Sequence, residues 1–311
     1  MKKYTNISDI SNISEIIQEA IELKKNPFKD ADLGKYKTLV MLFFNSSLRT
    51  RLSTEKAAKN LGMEVTVLNV NDAWNLEFEE GTVMNLRTSE HVKEAAQVIS
   101  QYVDVIAVRA FPTLNDKQKD ESEFVLNSFV KYASVPVINM ESSTAHPLQA
   151  LTDAISIEEL KKKQKPKVVL SWAPHPKALP HAVANSFTQM MQELDVDFSI
   201  THPEGYELNP DITKNTPINY NQEEALKDAD FVYVKNWSSY EDYGQIKSQD
   251  TNWMLTKEKL GDAKFMHCLP VRRNVVVEDA VLDSDSSVVI DQANNRTFAA
   301  QIILKKMLEN L

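Results

Sequence analysis

Two runs of short apolar segments alternating with amphipathic ones, separated by a lysine-rich break, constrain this chain more than any other feature. After a helix predicted over residues 6–24, with Ile10, Ile13, Ile16, Ile17 and Ile21 as its apolar stripe and Ser8 or Ser11 as its cap, come strands over Lys37–Phe44, Glu64–Val70, Val103–Val108 and Val135–Met140. Between them lie helices over Thr54–Leu61, 90–101 and Glu121–Tyr132, with Gly62 ending the first of these. A longer helix runs from His146 to about Lys163, and the run Lys161-Lys162-Lys163-Gln164-Lys165-Pro166 then interrupts the pattern. The alternation resumes with strands over Val168–Trp172, Asp197–Thr201, Phe231–Lys235, Lys264–Leu269 and Val288–Asp291, helices over 181–193 and Asn221–Leu226, and a last helix over 296–310. Strand and helix in alternation is the pattern of parallel sheets flanked by helices. The expected fold class is α/β in two domains, each a mostly parallel sheet with helices on both faces. The expected boundaries are 1–145 and 146–295, with the helix at 296–311 packing back on the first domain.

Composition narrows the function classes. The chain has 311 residues, enough for two domains, and a net charge of −9 from 44 acidic and 35 basic residues. That balance disfavours a nucleic-acid partner, because no basic excess is available to neutralise phosphates, yet it allows a small anionic substrate held by local positive charge. No apolar run approaches membrane-spanning length, so no membrane partner is expected. The single cysteine, Cys268, allows no intrachain disulfide, and the polar start Met-Lys-Lys-Tyr-Thr-Asn does not read as a signal peptide; a cytoplasmic location is expected. Neither GxGxxG nor GxxxxGK[ST] occurs, which counts against dinucleotide and P-loop enzymes. No cofactor and no metal site are expected, since no metal-ligand spacing is present.

Polar groups gather just after the predicted strands: Ser47 to Arg51, Arg109, Ser142 to His146, His175, Lys235, and His267 to Pro270. In open α/β sheets ligands bind outside the carboxyl ends of the strands. Ser47-Leu48-Arg49-Thr50-Arg51 follows a strand and precedes a helix, and combines hydroxyl donors, guanidinium forks and a helix start into an anion pocket. Each residue has a bland alternative. Ser47 is then an ordinary cap, His146 caps its helix ahead of Pro147, and Cys268 is an inert thiol. Their shared placement, rather than any one of them, points to a site for an anion.

Three of these stretches together resemble the aspartate/ornithine carbamoyltransferase family, which carries S-T-R-T-R, H-P-x-Q and H-C-L-P in this order and at about this spacing. Here they stand as Ser47-Leu48-Arg49-Thr50-Arg51, His146-Pro147-Leu148-Gln149 and His267-Cys268-Leu269-Pro270. The resemblance covers nearly the whole chain. It implies carbamoyl phosphate held by the first domain, an amine substrate closed in by the second, and a homotrimer with active sites shared between neighbours. By it, Arg49, Arg109 and His146 are catalytic. Ser47, Leu48, Thr50, Trp74, Gln149, Cys268, Leu269 and Arg296 join them in binding carbamoyl phosphate. Ser47, Arg49 and Thr50 grip the phosphate. Arg109, His146 and Thr50 address the carbonyl oxygen as charge grows on it, and Gln149 with the Leu269 carbonyl accepts from the carbamoyl NH2.

Departures from the family pattern bear on the amine. Ornithine enzymes carry an acid in D-x-W-x-S-M-G where this chain has Lys235 in Val234-Lys235-Asn236-Trp237-Ser238-Ser239. A cation there repels a free α-ammonium and suits an acylated α-nitrogen with its carboxylate intact. With Trp74, this resembles the N-acylornithine branch, in which that tryptophan reaches the neighbouring subunit's carbamoyl phosphate site. Glu90, Glu141, His175, Asn185, Lys235, Leu269 and Arg273 are then expected on the acylornithine side. Leu48 and the body of the chain are similar to the succinyl type. Glu90 stands where that type has Pro and the acetyl type has Glu, which favours N-acetylornithine; the bland alternative is an acid in the first turn of a helix. Ornithine as acceptor, or a non-catalytic anion-binding protein of the same fold, are the other readings.

Overall fold

The computed structural model describes residues 1–70 and 75–311. They form two compact units, the first comprising Met1–Thr113, Gln118–Leu148 and Arg296–Leu311, the second Leu114–Lys117 and Gln149–Asn295. His146 thus belongs to the first unit and Gln149 to the second.

The first unit is built on a five-stranded sheet of β1 (Lys3–Tyr4), β2 (Thr38–Phe43), β3 (Glu64–Asn69), β6 (Val105–Arg109) and β7 (Val137–Glu141), in the order β1-β7-β6-β2-β3. Every pairing is parallel. Strands β2, β6 and β7 are buried along nearly their whole length, as apolar runs covered on both faces should be. Val40, Leu42, Ile106, Val108 and Phe129 anchor the core on one face. Its longer helices are α1 (Ile13–Lys25), α2 (Leu48–Asn60), α3 (Val92–Tyr102) and α4 (Phe124–Tyr132). A two-stranded pair, β4 (Leu76–Glu77) with β5 (Glu90–His91), stands apart from the main sheet. Past the end of α2, Gly62 takes a φ of +83°, and a Cβ there would lie 2.0 Å from the Ala31 carbonyl oxygen, so only glycine fits this turn.

The second unit repeats the plan. Its strands β8 (Lys167–Trp172), β9 (Asp197–Thr201), β10 (Ile218–Asn219), β11 (Phe231–Lys235) and β12 (Lys264–Met266) run parallel in the order β10-β9-β8-β11-β12. Helix α5 (Pro147–Leu160) enters this unit at Gln149, and α6 (Ala182–Gln192) follows β8. The last helix, α7 (Val289–Leu308), contributes residues up to Asn295 to the second unit and from Arg296 to the first. The α/β class and parallel sheets are as expected. Among the described residues, no helix is long and apolar enough to cross a membrane.

Several expected boundaries are corrected. The predicted helix over 6–24 is a 3-10 turn (Ile7–Asp9) followed by α1, because Asp9 Oδ2 accepts from Thr5 N and Asn6 N and closes the turn; Asn12, rather than Ser8 or Ser11, caps α1. Helix α2 starts at Leu48, not Thr54, so Arg49, Thr50 and Arg51 occupy its first turn. The expected strand Val288–Asp291 is the start of α7. The predicted helix Glu121–Tyr132 breaks at Glu123, whose φ is 52°. Glu90 lies in β5 opposite Leu76, not in the first turn of α3.

Candidate active site

Both sheets have a topological switch point, where the chain leaves one side of a central strand and returns on the other. In the first it falls between β2 and β6, in the second between β8 and β11. Crevices at such points, at the carboxyl ends of the strands, are where open α/β sheets bind ligands.

In the first unit, the chain leaves β2 into Ser47, whose Oγ accepts the Thr50 N–H at 3.3 Å and caps α2. The free amides and positive dipole end of a 13-residue helix thereby face the crevice. Thr50 is buried, and its Oγ1 accepts from Arg296 Nη2 at 2.8 Å and from Arg109 Nη1 at 3.3 Å. With both lone pairs so used, the hydroxyl's own proton is left to donate. Arg109 lies beside Phe43 on one neighbour strand and Glu141 on the other, and the register shift between Val108 and Arg109 brings it opposite Glu141. Its guanidinium pairs with the Glu141 carboxylate and sits 4.4 Å from the centre of the Phe111 ring. His146 Nε2 is 3.4 Å from the same Glu141 oxygen. Arg109, Glu141, His146 and Arg296 are all buried, and Arg109 Nε has no partner among the described residues. Arg49 is half-buried in the first turn of α2, whereas Leu48 and Arg51 are exposed.

The loop that carries His146 is tied down by Glu123, a residue that sequence reasoning missed. Its Oε1 accepts from Ser142 Oγ at 2.7 Å and from the Thr144 N–H at 2.7 Å, and its Oε2 from the Ser143 N–H at 3.1 Å. Burial pushes the Glu123 carboxyl above the ordinary carboxylate range, against the lowering effect of those donors.

In the second unit, His175 follows β8 and Lys235 ends β11, on the two sides of the switch point. His175 Nε2 accepts from Arg272 Nε at 3.0 Å, which leaves Nδ1 to donate to the Lys177 carbonyl at 2.9 Å. Burial, and then the positive charges of Lys235, Arg272 and Lys177, push the His175 imidazole below its usual range and keep it neutral at pH 7; only the Lys177 carbonyl works the other way. Arg272, not Arg273, therefore stands at His175. The Arg273 guanidinium is held by Asp279 at 2.8 Å and Asp283 at 2.6 Å, away from that group. Asn185 is buried in the first turn of α6. After β12, the Leu269 N–H donates to His267 Nδ1 at 2.8 Å, and Leu269 takes a left-handed φ of 56°. Cys268 is half-buried next to it. Gln149 Nε2 donates to Asp153 Oδ1 at 2.7 Å within α5. The first unit thus brings together Ser47, Arg49, Thr50, Arg109, Glu141, His146 and Arg296. The second holds Gln149, His175, Asn185, Lys235, Cys268 and Leu269. Trp74 lies outside the described residues, and Glu90 sits half-buried in β5.

One unit gathers buried guanidinium groups beside a capped helix start; the other places Arg272 against His175 and Lys235 at the end of β11. These features define a two-unit α/β protein with positively charged groups at both switch points. The chain belongs to the aspartate/ornithine carbamoyltransferase family: the model of that family's carbamoyl-P binding domain matches residues 2–159 and that of its Asp/Orn binding domain residues 180–307. It is 49% identical to an N-succinylornithine carbamoyltransferase of Bacteroides fragilis (strain 638R), over 100% of both chains. It is 36% identical to an N-acetylornithine carbamoyltransferase of Xylella fastidiosa (strain Temecula1 / ATCC 700964), over 98% of each. A crystal structure of N-acetyl-L-ornithine transcarbamylase, in a Glu-to-Ala variant complexed with carbamyl phosphate and N-succinyl-L-norvaline, superposes with a TM-score of 0.91 at 35% identity, covering 99% of this chain and 100% of that one.

Proposed function

We propose that this chain moves the carbamoyl group of carbamoyl phosphate to the side-chain amine of an N-acylornithine, giving N-acylcitrulline and phosphate in arginine biosynthesis. One observation carries the reading: at the first switch point the buried Arg109 guanidinium and the His146 imidazole meet on the Glu141 carboxylate, and the buried guanidiniums of Arg109 and Arg296 meet on the Thr50 hydroxyl, beside a helix start. Such a concentration of buried positive charge is costly unless an anion completes it. Arg49, Ser47, Thr50, Arg296 and the α2 amides grip the phosphate. The amine lone pair attacks the carbamoyl carbon, and the carbonyl oxygen takes up negative charge facing Arg109, His146 and the Thr50 hydroxyl. The bond from carbon to the phosphate oxygen then breaks, phosphate leaves with the electron pair, and the amine's proton passes to it. Gln149 and the Leu269 carbonyl hold the carbamoyl NH2, and Leu48 and Cys268 also serve to bind carbamoyl phosphate. Much of the rate comes from holding the two reactants in line.

On the acceptor side, Lys235 and Arg272 receive the α-carboxylate, with neutral His175 steadying the Arg272 guanidinium, and Asn185 serves the same ligand. No acid stands at Lys235's position to hold a free α-ammonium, which favours an acylated nitrogen. Glu141 has a second duty beyond its expected contact with the acylornithine, because it fixes Arg109 by charge. Trp74 and Glu90 are proposed to reach the site of a neighbouring subunit in a cytoplasmic homotrimer.

Overall identity leans to the succinyl type, 49% against 36%. We nonetheless assign the preference to N-acetylornithine, because the charge and bulk of Glu90 oppose a second carboxylate at close range. That a glutamate-to-alanine variant of a relative is found with a succinylated ligand fits a glutamate that limits the acyl group. The test is ureido formation from carbamoyl phosphate with N-acetylornithine, N-succinylornithine and ornithine, comparing kcat/KM. We expect acetyl over succinyl, the order reversed by Glu90→Pro, and ornithine far behind. A clear succinyl preference of the unaltered chain sinks the Glu90 argument. Equal use of ornithine makes this an ornithine enzyme, and no product with any amine leaves an anion-binding protein.

A further inference from the structure

In the second unit Gln149 belongs to a buried polar chain that also includes Asp153 and Gln292, neither of which has a part in any step above. Asp153 Oδ1 accepts from Gln149 Nε2 at 2.7 Å and from Gln292 Nε2 at 2.6 Å. Gln292 Oε1 in turn accepts the His267 N–H at 3.0 Å. Asp153, Gln149, Gln292 and His267 are all buried. Gln149 and Asp153 are four apart on α5 and so meet on one face, while Gln292 comes from α7.

An ionised carboxylate oxygen can only accept, whereas an amide can turn either end toward a partner. Two amides that both meet Asp153 Oδ1 must therefore both present their NH2 groups to it. This fixes which way each points. Gln149 is left with its carbonyl oxygen aimed away from Asp153, and Gln292 with its carbonyl oxygen on the backbone of the loop that carries Leu269.

We infer that Asp153 is a positioning residue: by holding the NH2 of Gln149, and through Gln292 the start of the His267–Pro270 loop, it sets both carbamoyl-NH2 acceptors with their oxygens outward. The inference rests on the carbamoyl phosphate reading of Gln149 and Leu269. Without Asp153, the Gln149 NH2 loses the acceptor that fixes its direction in this chain of bonds.

A double-mutant cycle on the full-length enzyme tests it, read as KM for carbamoyl phosphate with the acylornithine saturating. Gln149→Ala and Asp153→Ala are each expected to raise that KM about tenfold, the order of one lost neutral hydrogen bond, and the double variant to raise it no further. Asp153→Asn keeps an acceptor oxygen at the same reach and is expected to stay within a few-fold of the parent. KM for the acylornithine should not move in any of them. Additive effects of the two alanine changes, or an Asn variant as impaired as the Ala variant, overturn the assignment. If Asp153→Ala does not fold, Asp153→Ser, too short to reach both amides, takes its place in the cycle with the same expected values. If Gln149→Ala itself leaves KM for carbamoyl phosphate unchanged, the reading of Gln149 has failed and the inference falls with it. An effect of Gln149→Ala without one of Asp153→Ala overturns the positioning role alone.

Discussion

Arg109 answers to two demands, and mutation separates them. It faces the proposed oxyanion and it also neutralises Glu141 in a buried setting. Arg109→Ala removes an oxyanion donor, which costs about 10²- to 10³-fold in kcat. It also strands Glu141, and loss of one partner of a buried pair costs about 3–5 kcal/mol of stability. Adding Glu141→Gln to Arg109→Ala removes the stranded charge. The double variant should therefore recover thermal midpoint toward the parent while its kcat stays low. Recovery of both together would show Arg109 to be structural only. The adjacent arginines of the second unit separate in the same way. Arg272→Ala is expected to raise KM for the acylornithine about tenfold or more with kcat less affected, since it removes the proposed charge-assisted contact to the carboxylate. Arg273→Ala breaks only exposed, solvent-screened pairs and should leave KM alone. Steady-state kinetics on both variants check this. The sequence reading named Arg273 and not Arg272, because the pairs that hold Arg273 to Asp279 and Asp283, six and ten positions downstream, leave no local signature.

Among elements, α2 matters most to the site, and its start is where reading and structure differ most. Ser47 caps a helix that begins at once, so Arg49 and Thr50 are carried on a rigid first turn rather than on a loop. Ser47→Ala should destabilise the protein by about 0.5–2 kcal/mol and raise KM for carbamoyl phosphate, because the cap and the proposed phosphate contact are lost together. Ser47→Asp keeps a capping oxygen but places a negative charge against the phosphate. It should restore the thermal midpoint and worsen KM; an Asp variant that restores both would argue against phosphate at this helix start. Buried parallel strands were legible as continuous apolar runs, and Phe231–Lys235 stands where the pattern put it; Asp197–Thr201, only partly buried, alternates apolar and polar residues and also stands where it was read. The helix starts were not. Leu48 to Ser53 carries little apolar periodicity, since this turn faces a ligand crevice. At the start of α7, Gln292 and Asn295 are buried through side-chain hydrogen bonds to Asp153, Ser156 and Glu159. A helix face that packs through amides looks polar in sequence, so Val288 to Asp291 read as an isolated strand. The edge strand Lys3–Tyr4 is two residues long and held mainly by its pairing to β7, which no local pattern encodes. The site was legible where family motifs marked it; Glu123, Arg272 and Asp153 act through distant partners and lay outside those motifs.

For the molecule as a whole, the proposed trimer makes a quantitative demand. If each site takes its phosphate grip from one chain and Trp74 from the next, two defects on different chains can complement, because symmetry repeats the same shared interface around the ring. Arg49→Ala disables a chain's own grip, and Trp74→Ala disables what it lends its neighbour. Each variant alone is expected to keep on the order of 1% of the parent kcat, the scale of losing one transition-state donor. Co-expressed with two different tags and purified as mixed assemblies, the pair behaves differently. A site is intact only when its own chain carries the Trp74 change and its neighbour carries the Arg49 change, so random assembly of equal amounts restores about a quarter of the sites. Sedimentation of each variant first establishes that it assembles like the parent. Turnover of the mixture at about a quarter of the parent value supports a shared site. Turnover no higher than the mean of the two variants, from assemblies shown to contain both tags, means that each chain works alone and that Trp74 and Glu90 do not act across an interface.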